Sequence, residues 1–349
     1  MTKHLRARVG LIAVMLLALG GAAASPGQPP ASSGAETIPN TRSFEFVSKV
    51  NGHRYRISVA LPFTAAPRKG YAALYVIDGY WYFASATEVV RVLGNPANVV
   101  VVGIGYPEDA AYLEHVRTER APVMPAYFNG MPLVRSAPFL ERTYDLTLPA
   151  SDKDLAAQTL PGTPRDTSRN VGGVDDFLKV IETEVKPRVA AMAPIDATNQ
   201  ALFGHSLGGL ATLHALFVEP KAFRTFLIAS PSIWWNNKEV LADEGRFAAA
   251  VTSGEAAPRA LVTVGGEEST PQKLPASWGI DQRAADASLR KSRMVENAGE
   301  LVTRLGLLHG KPGYRVEGVV FAKESHSASP WAALSRGIPF AFADDAPEK

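Results

Sequence analysis

Short apolar runs alternate with segments of helical composition along most of this chain. Apolar runs predict strands at residues 72–77, 99–104, 201–203, 225–229 and 260–264, and residues 315–321 also fit a strand. Helices are predicted at residues 82–93, 174–191, 238–250 and 291–309. Strands that are apolar on both faces are typical of parallel sheets covered by helices on both sides. The alternation therefore predicts an α/β fold with a doubly wound, mostly parallel sheet.

Two segments near the start of this pattern have a different periodicity. Residues 43–50 and 53–61 alternate apolar and polar positions around Asn51-Gly52, a pair that favours a type I′ turn. They predict an antiparallel hairpin at the start of the sheet. The alternation then stops at residues 106–170, which follow the fourth predicted strand and are rich in Pro, Arg, Tyr and Ser. We interpret them as an insertion that forms a lid or substrate wall, the alternative being a loose surface excursion.

The N-terminus has the pattern of an export signal. Lys3, Arg6 and Arg8 precede an apolar stretch at residues 9–19, and small residues follow it. We expect a signal peptide at residues 1–24, cleaved after Ala24, a disordered tether at 25–40 and a single domain at 41–349. The protein is then periplasmic or secreted. An uncleaved N-terminal anchor is the alternative.

Charge and cysteine content narrow the class of function. Three basic residues and no acidic ones lie in the predicted signal, so its removal lowers the formal net charge from +2 to −1. Since no run of Lys and Arg follows, we expect no nucleic-acid partner, and no membrane partner after cleavage. The sequence contains no cysteine, which excludes disulfides, thiolate nucleophiles and Cys-bound metals.

The pentapeptide Gly204-His205-Ser206-Leu207-Gly208 carries the strongest chemical signal. A Gly-x-Ser-x-Gly motif between a strand and a helix is typical of the nucleophile elbow of α/β-hydrolases, where Ser206 is the nucleophile. The alternative is a serine in an ordinary glycine-rich turn. The pattern predicts an α/β-hydrolase fold.

A serine nucleophile needs a base and an acid that follow it in the chain. Of His214, His309 and His326, only His326 follows the last predicted strand at the carboxyl edge of the sheet, so His326 is the predicted base. Glu267 and Glu268 follow the strand at 260–264, and either is a candidate acid. Asp281 and Asp286 are later candidates on a longer loop.

Two backbone N–H groups are expected to form the oxyanion hole. One belongs to Leu207, the residue after the nucleophile, and the other to Tyr80, in the loop after the strand at 72–77. The sequence has no metalloprotease pair, P-loop or complete dinucleotide fingerprint. We therefore expect neither a metal ion nor a cofactor.

Several segments together resemble the enterochelin-esterase-like branch of the esterase D family, which includes hydrolases of ferric-siderophore trilactones. The resemblance runs from about residue 40 almost to the end, in residues 74–81, 101–107, 142–147, 172–178, 203–209 and 230–236. It implies ester hydrolysis by Ser206 and His326, and it favours Glu268 over Glu267 because the family's acid follows a Gly-x-x-Glu pattern. Some relatives use a Ser-His pair without an acid.

The resemblance also implies a small-molecule ester substrate, with a ferric siderophore as the first choice. A bulky anionic chelate favours cations and aromatic faces, and we interpret Arg142 and Trp235 as substrate-binding residues. Trp235 is alternatively a packing residue beneath the site. The sequence differs from many relatives at Asp145-Leu146-Thr147-Leu148-Pro149, where they have Asp-Tyr-Thr-Pro, so the substrate wall differs there. A general carboxylesterase for small acyl, acetyl or feruloyl esters is the alternative activity. A non-catalytic ferric-chelate-binding protein is the alternative from another class.

Overall fold

A computed structural model describes residues 37–93, 98–107, 109, 127–128, 131–132, 141–158, 168–271, 273 and 281–343. The described residues from Ile38 onward belong to one compact unit. The predicted signal peptide, residues 25–36 of the predicted tether and most of the predicted insertion lie outside these ranges. Asn40, the last residue of that tether, is anchored because its side-chain amide donates to the carbonyls of Leu61 and Pro62.

An eight-stranded sheet forms the centre of the molecule. Its strands are β1 (Thr41–Val47), β2 (Arg54–Ala60), β3 (Tyr71–Ile77), β4 (Val99–Gly105), β7 (Ile195–His205), β8 (Thr225–Ala229), β9 (Arg259–Gly265) and β10 (Arg315–Phe321). Their order in the sheet is β1-β2-β4-β3-β7-β8-β9-β10. Strands β1 and β2 are antiparallel to their neighbours, and the other strands pair in parallel. A separate pair is formed by β5 (Tyr127–Phe128) and β6 (Met131–Pro132).

Helices connect the parallel strands. They are α1 (Gly79–Val92), α2 (Asp152–Gln158), α3 (Val174–Val180), α4 (Lys186–Ala190), α5 (Leu207–Val218), α6 (Glu244–Thr252), α7 (Gln282–Ser292), α8 (Met294–Gly306) and α9 (Ser329–Phe342). A π-helical turn at Ile181–Val185 joins α3 to α4, and a 3₁₀ segment at Trp235–Asp243 precedes α6. Within the described ranges, no helix is long and apolar enough to cross a membrane.

The core consists of one apolar layer on each face of the sheet. Helices α1 and α9 cover one face with Tyr82, Ala86, Leu334 and Ile338, while α3, α5, α6 and α8 cover the other. Both layers pack on residues of the parallel strands, which are buried along their whole length in β4, β8 and β9. The predicted doubly wound, mostly parallel α/β sheet is therefore confirmed.

Several local features of the structure differ from the prediction. Of Asn51 and Gly52, Gly52 has a positive φ (78°) and Asn51 does not, so the turn is not type I′. The hairpin loop is wider and is closed by the Ser48 N–H donating to the His53 carbonyl. Where a helix was predicted at 238–250, the structure has left-handed residues up to Lys238, then 3₁₀ structure, and an α-helix only from Glu244. Helix α9 was not predicted, because Gly337 and Pro339 interrupt its helical pattern.

Candidate active site

Left-handed residues concentrate at one edge of the sheet. Asp78, Ser206 and Ser230 directly follow β3, β7 and β8, and their φ angles are 57°, 61° and 42°. Non-glycine residues in this conformation cost of order 1 kcal/mol or more and cluster where function requires them. In open parallel sheets this carboxyl edge is also where ligands bind.

Ser206 lies in the sharp turn between β7 and α5, with φ 61° and ψ −119°. The turn is possible because glycine stands on both sides of it: a Cβ at Gly204 would lie 2.1 Å from the Gly208 carbonyl oxygen. A Cβ at Gly209 would lie 2.5 Å from the carbonyl oxygen of Ala229 on the neighbouring strand. The close packing of strand and helix therefore explains why these positions are glycine, and it fixes Ser206 above the sheet edge.

The structure brings Ser206, His326 and Glu268 together. The Nε2 atom of His326 lies 3.0 Å from the Ser206 Oγ, and its Nδ1 atom lies 2.7 Å from the Glu268 Oε2. An ionised carboxylate only accepts hydrogen bonds, so Nδ1 carries the proton and Nε2 accepts from the serine hydroxyl. The imidazole is 42% exposed, whereas the Glu268 side chain is fully buried. The arrangement can transfer the Ser206 proton to His326.

Two further hydrogen bonds hold the carboxylate of Glu268. Its Oε1 accepts hydrogen bonds from the Ser230 hydroxyl at 2.5 Å and the Gly265 N–H at 2.7 Å. Burial opposes ionisation, but the hydrogen bond and charge of His326, with these two donors, outweigh burial and lower the pKa of Glu268. The carboxylate therefore stays ionised throughout the pH range in which a histidine titrates.

The other candidate acids and bases lie elsewhere. The Glu267 N–H donates to the Glu324 carbonyl, so the backbone of Glu267 stabilises the turn that contains Glu268. Asp281 accepts from the Ala284 N–H and caps α7. His214 is buried in α5, where its Nε2 lies 2.8 Å from the Asp175 Oδ1.

The residues predicted to form the oxyanion hole lie at adjacent helix starts. Leu207 is the first residue of α5, and Tyr80 is the second residue of α1. These helices follow β7 and β3, which are neighbours in the sheet. A Cβ at Gly208 would lie 3.3 Å from the Asp78 Oδ2, so the two turns are packed together. Both N–H groups therefore lie at helix N-termini, where the helix dipole favours a negative charge such as an oxyanion.

Arg142, predicted to contact the substrate, is 3% exposed and forms an internal ion pair. Its Nε and Nη2 donate to the two carboxylate oxygens of Asp78, each at 2.8 Å. Burial opposes the charged guanidinium, but the charge of Asp78 outweighs it and raises the pKa of Arg142. This placement argues against the predicted substrate contact. It makes Arg142 a support for the turn from β3 into α1, which contains Tyr80.

We expect Arg142→Met to destabilise the protein by about 3–5 kcal/mol, because it leaves the Asp78 carboxylate buried without a partner. Urea denaturation would measure the loss. The double variant Asp78→Asn with Arg142→Met is the matched control, since asparagine is neutral and tolerates the left-handed backbone of Asp78. The double variant should recover part of the lost stability. If Arg142→Met were as stable as the wild type, the Arg142–Asp78 ion pair would not support the turn from β3 into α1.

Trp235, the other predicted substrate contact, is 4% exposed at the start of the 3₁₀ segment. Its ring lies 6.2 Å from that of Trp234, which packs partly buried against the core. This placement favours the alternative interpretation, in which Trp235 is a packing residue.

Several residues that surround the triad could not be selected from the sequence. His205, Tyr82, Ser230 and Ser329 are all buried and are joined to one another or to Glu268 by hydrogen bonds. The one available signal was the position of His205, directly before the nucleophile. Within the described residues, no group of three or more His, Cys, Asp or Glu side chains is arranged to hold a metal ion.

Comparisons with known proteins identify the family of the chain. The model of the esterase family, described as "Putative esterase", matches residues 146–300. The chain is 31% identical over 319 residues to the ferri-bacillibactin esterase BesA of Bacillus subtilis, which covers 90% of this chain and 94% of that protein. It is 32% identical over 330 residues to the siderophore enterobactin esterase of Emericella nidulans, covering 90% of this chain and 96% of that protein.

Solved structures give the same result for the fold. The siderophore hydrolase EstA from Aspergillus nidulans superposes with a TM-score of 0.67 at 29% sequence identity. That match covers 93% of this chain and 99% of the other. The predicted α/β-hydrolase fold is confirmed by this neighbour together with the eight-stranded sheet.

Proposed function

Because the chain belongs to the esterase family and is an ester hydrolase, we propose that it cleaves siderophore esters with Ser206 as nucleophile. The observation that carries the proposal is the contact of one imidazole with both partners: His326 reaches Ser206 at 3.0 Å and Glu268 at 2.7 Å. A hydroxyl is a weak nucleophile until a base takes its proton and a third group orients that base. These three side chains meet both requirements.

In the acylation step, the Ser206 Oγ attacks the ester carbonyl carbon while its proton passes to the Nε2 of His326. Glu268 accepts the hydrogen bond from Nδ1, which fixes the tautomer and stabilises the imidazolium. The carbonyl oxygen becomes an oxyanion, for which we propose the Leu207 and Tyr80 N–H groups as donors. The intermediate collapses when the ester C–O bond breaks, and His326 returns its proton to the departing alcohol.

In the deacylation step, water replaces the alcohol. His326 takes a proton from the water, whose oxygen attacks the acyl carbon, and the bond to the Ser206 Oγ breaks as the serine recovers its proton. The products are a free alcohol and a carboxylic acid. His326 takes part in every proton transfer of the acylation and deacylation steps.

The proposed substrate class is supported by the relatives, two of which are named esterases of ferri-bacillibactin and of enterobactin. The buried ion pair of Arg142 means that cationic contacts to such an anionic chelate have to come from other residues. The predicted insertion contains four further arginines that could supply them and that lie outside the described residues: Arg117, Arg120, Arg135 and Arg165.

Product analysis by mass spectrometry tests the substrate class. The wild type and Ser206→Ala are incubated with a catecholate trilactone, with and without Fe(III), and in parallel with a short-chain aryl ester. We expect the wild type to open the trilactone and Ser206→Ala to leave it intact. Cleavage of the aryl ester alone would overturn the siderophore assignment in favour of a general carboxylesterase. Binding of the chelate without cleavage of either ester would indicate a binding protein.

A further inference from the structure

A second histidine lies against the base of the triad. His205 is 4% exposed, and the centre of its ring lies 4.5 Å from that of His326, with 40° between the ring planes. It directly precedes Ser206 at the end of β7. The reaction described above assigns it no role, yet it contacts the one side chain that has to accept and release protons.

Both ring nitrogens of His205 face hydroxyl groups. Its Nδ1 lies 3.0 Å from the hydroxyl of Tyr82, a phenol that stays protonated because burial raises its pKa. Its Nε2 lies 3.4 Å from the Oγ of Ser329. The Ser329 hydroxyl in turn donates to the main chain of His326, the residue whose ring His205 packs against.

The same group of residues continues to the acid. The Ser329 Oγ lies 3.2 Å from the His326 carbonyl oxygen and 2.9 Å from the Ser230 Oγ. The Ser230 hydroxyl donates in turn to the Glu268 Oε1, the carboxylate oxygen that His326 does not use. Both serines are fully buried. One connected set of buried groups therefore supports both the base, His326, and the acid, Glu268.

The charge state of His205 suits this position. Burial, followed by the charges of His326 and Arg142, lowers the pKa of His205 well below its usual range, so the ring is neutral. Its other ionisable neighbour, Tyr82, is also neutral. A positive charge on His205 would oppose formation of the imidazolium on His326, while a neutral ring supplies hydrogen bonds without that repulsion.

We propose that His205 is a positioning residue for His326: it packs against the imidazole of the base and, through Ser329 and Ser230, fixes the base relative to Glu268. The proposal rests on the proposed function of Ser206 and His326. It predicts that the loss of the polar groups of His205 lowers the rate of the chemical steps and leaves substrate binding unchanged, because His205 is buried beneath the base.

The test is steady-state kinetics of His205→Phe and His205→Gln with a short-chain aryl ester across the pH range of the His326 titration. His205→Phe keeps a ring but removes both hydrogen bonds. We expect its kcat to fall by about 10- to 100-fold, with KM within about twofold of the wild type, the range typical of misplaced catalytic groups. The pH midpoint that reports His326 should also move. Since glutamine retains a donor and an acceptor, His205→Gln should recover part of kcat.

A second buried histidine provides the matched control. His214→Phe removes a buried imidazole of α5 that pairs with Asp175 of α3, outside the triad and its supporting residues. It should lower the melting temperature and leave the pH midpoint of kcat unchanged. Ser329→Ala removes the hydroxyl that links His205 to Ser230 and to the His326 carbonyl. It replaces His205→Phe in the test if that variant does not fold. It too should lower kcat more than it changes KM.

The outcomes separate this inference from the proposed function. If His205→Phe keeps the wild-type kcat and pH midpoint, the positioning role is overturned and Ser206-dependent hydrolysis stays intact. The same result in Ser329→Ala has this meaning if His205→Phe does not fold. Equal effects of His205→Phe and His214→Phe on kcat and on the pH midpoint would also overturn it. By contrast, full activity of Ser206→Ala would remove the proposed function itself.

Discussion

Ser206→Ala is expected to lower kcat for ester hydrolysis by at least about 10⁴-fold, the loss seen when a serine nucleophile acting with a histidine is removed. The reason is geometric: Ser206 is the hydroxyl that the structure places 3.0 Å from the Nε2 of His326. Alanine keeps the backbone of the elbow but leaves the base without a proton to accept. Steady-state kinetics with an aryl ester would measure the effect.

The control for this prediction is the fold of the variant. The melting temperature of Ser206→Ala should stay close to that of the wild type, since the elbow is set by Gly204, Gly208 and Gly209 and by the Ser206 N–H donating to the Ala229 carbonyl. A folded variant that keeps more than a tenth of the wild-type kcat would show that another group attacks the ester.

Glu268→Gln should lower kcat by about 10⁴-fold, as amide replacement of the acid does in other triads. The glutamine amide presents a donor where the His326 Nδ1–H needs an acceptor, so it favours the wrong tautomer of the base. It also removes the charge that stabilises the imidazolium. The stability of the variant should be followed by urea denaturation, because the buried carboxylate accepts from Ser230 and Gly265.

Glu267→Gln is the matched control for this change. It makes the same chemical substitution one residue earlier, where the backbone, not the side chain, braces the turn. Its kcat should stay within about twofold of the wild type. If both variants lost activity equally, the carboxylate of Glu268 would not be the group that orients His326. If neither lost activity, a Ser-His pair without an acid would account for catalysis.

Sequence patterns were sufficient for the parts of the fold whose signal is local. The bounds of β8 and β10 match the prediction, since each is a continuous strand pattern between turn residues. The elbow was equally clear, because the close approach of β7 and α5 requires glycine at fixed positions. The resemblance to the enterochelin-esterase-like branch, which rests on motifs along the chain, is confirmed by the comparisons.

Long-range pairing explains what the sequence did not reveal. Arg142 and Asp78 are 64 residues apart, and Arg142 stands in a segment without sustained periodicity, so an arginine that pairs internally looks like one that binds a ligand. Tyr82, His205, Ser230 and Ser329 likewise come from four separate elements or turns. They meet only because the strand order places β7 beside β8 and packs α1 against α9. Nothing local to any of these residues indicates that contact.

Covalent labelling of Ser206 reports directly whether His326 activates it as a nucleophile. The protein would be treated with a fluorophosphonate, digested and analysed by peptide mass spectrometry, beside the Ser206→Ala and His326→Ala variants. We expect one phosphonylated peptide, modified at Ser206, with no labelling of Ser206→Ala and greatly slowed labelling of His326→Ala. An unlabelled wild-type protein, or a label on another residue that persists in Ser206→Ala, would contradict it.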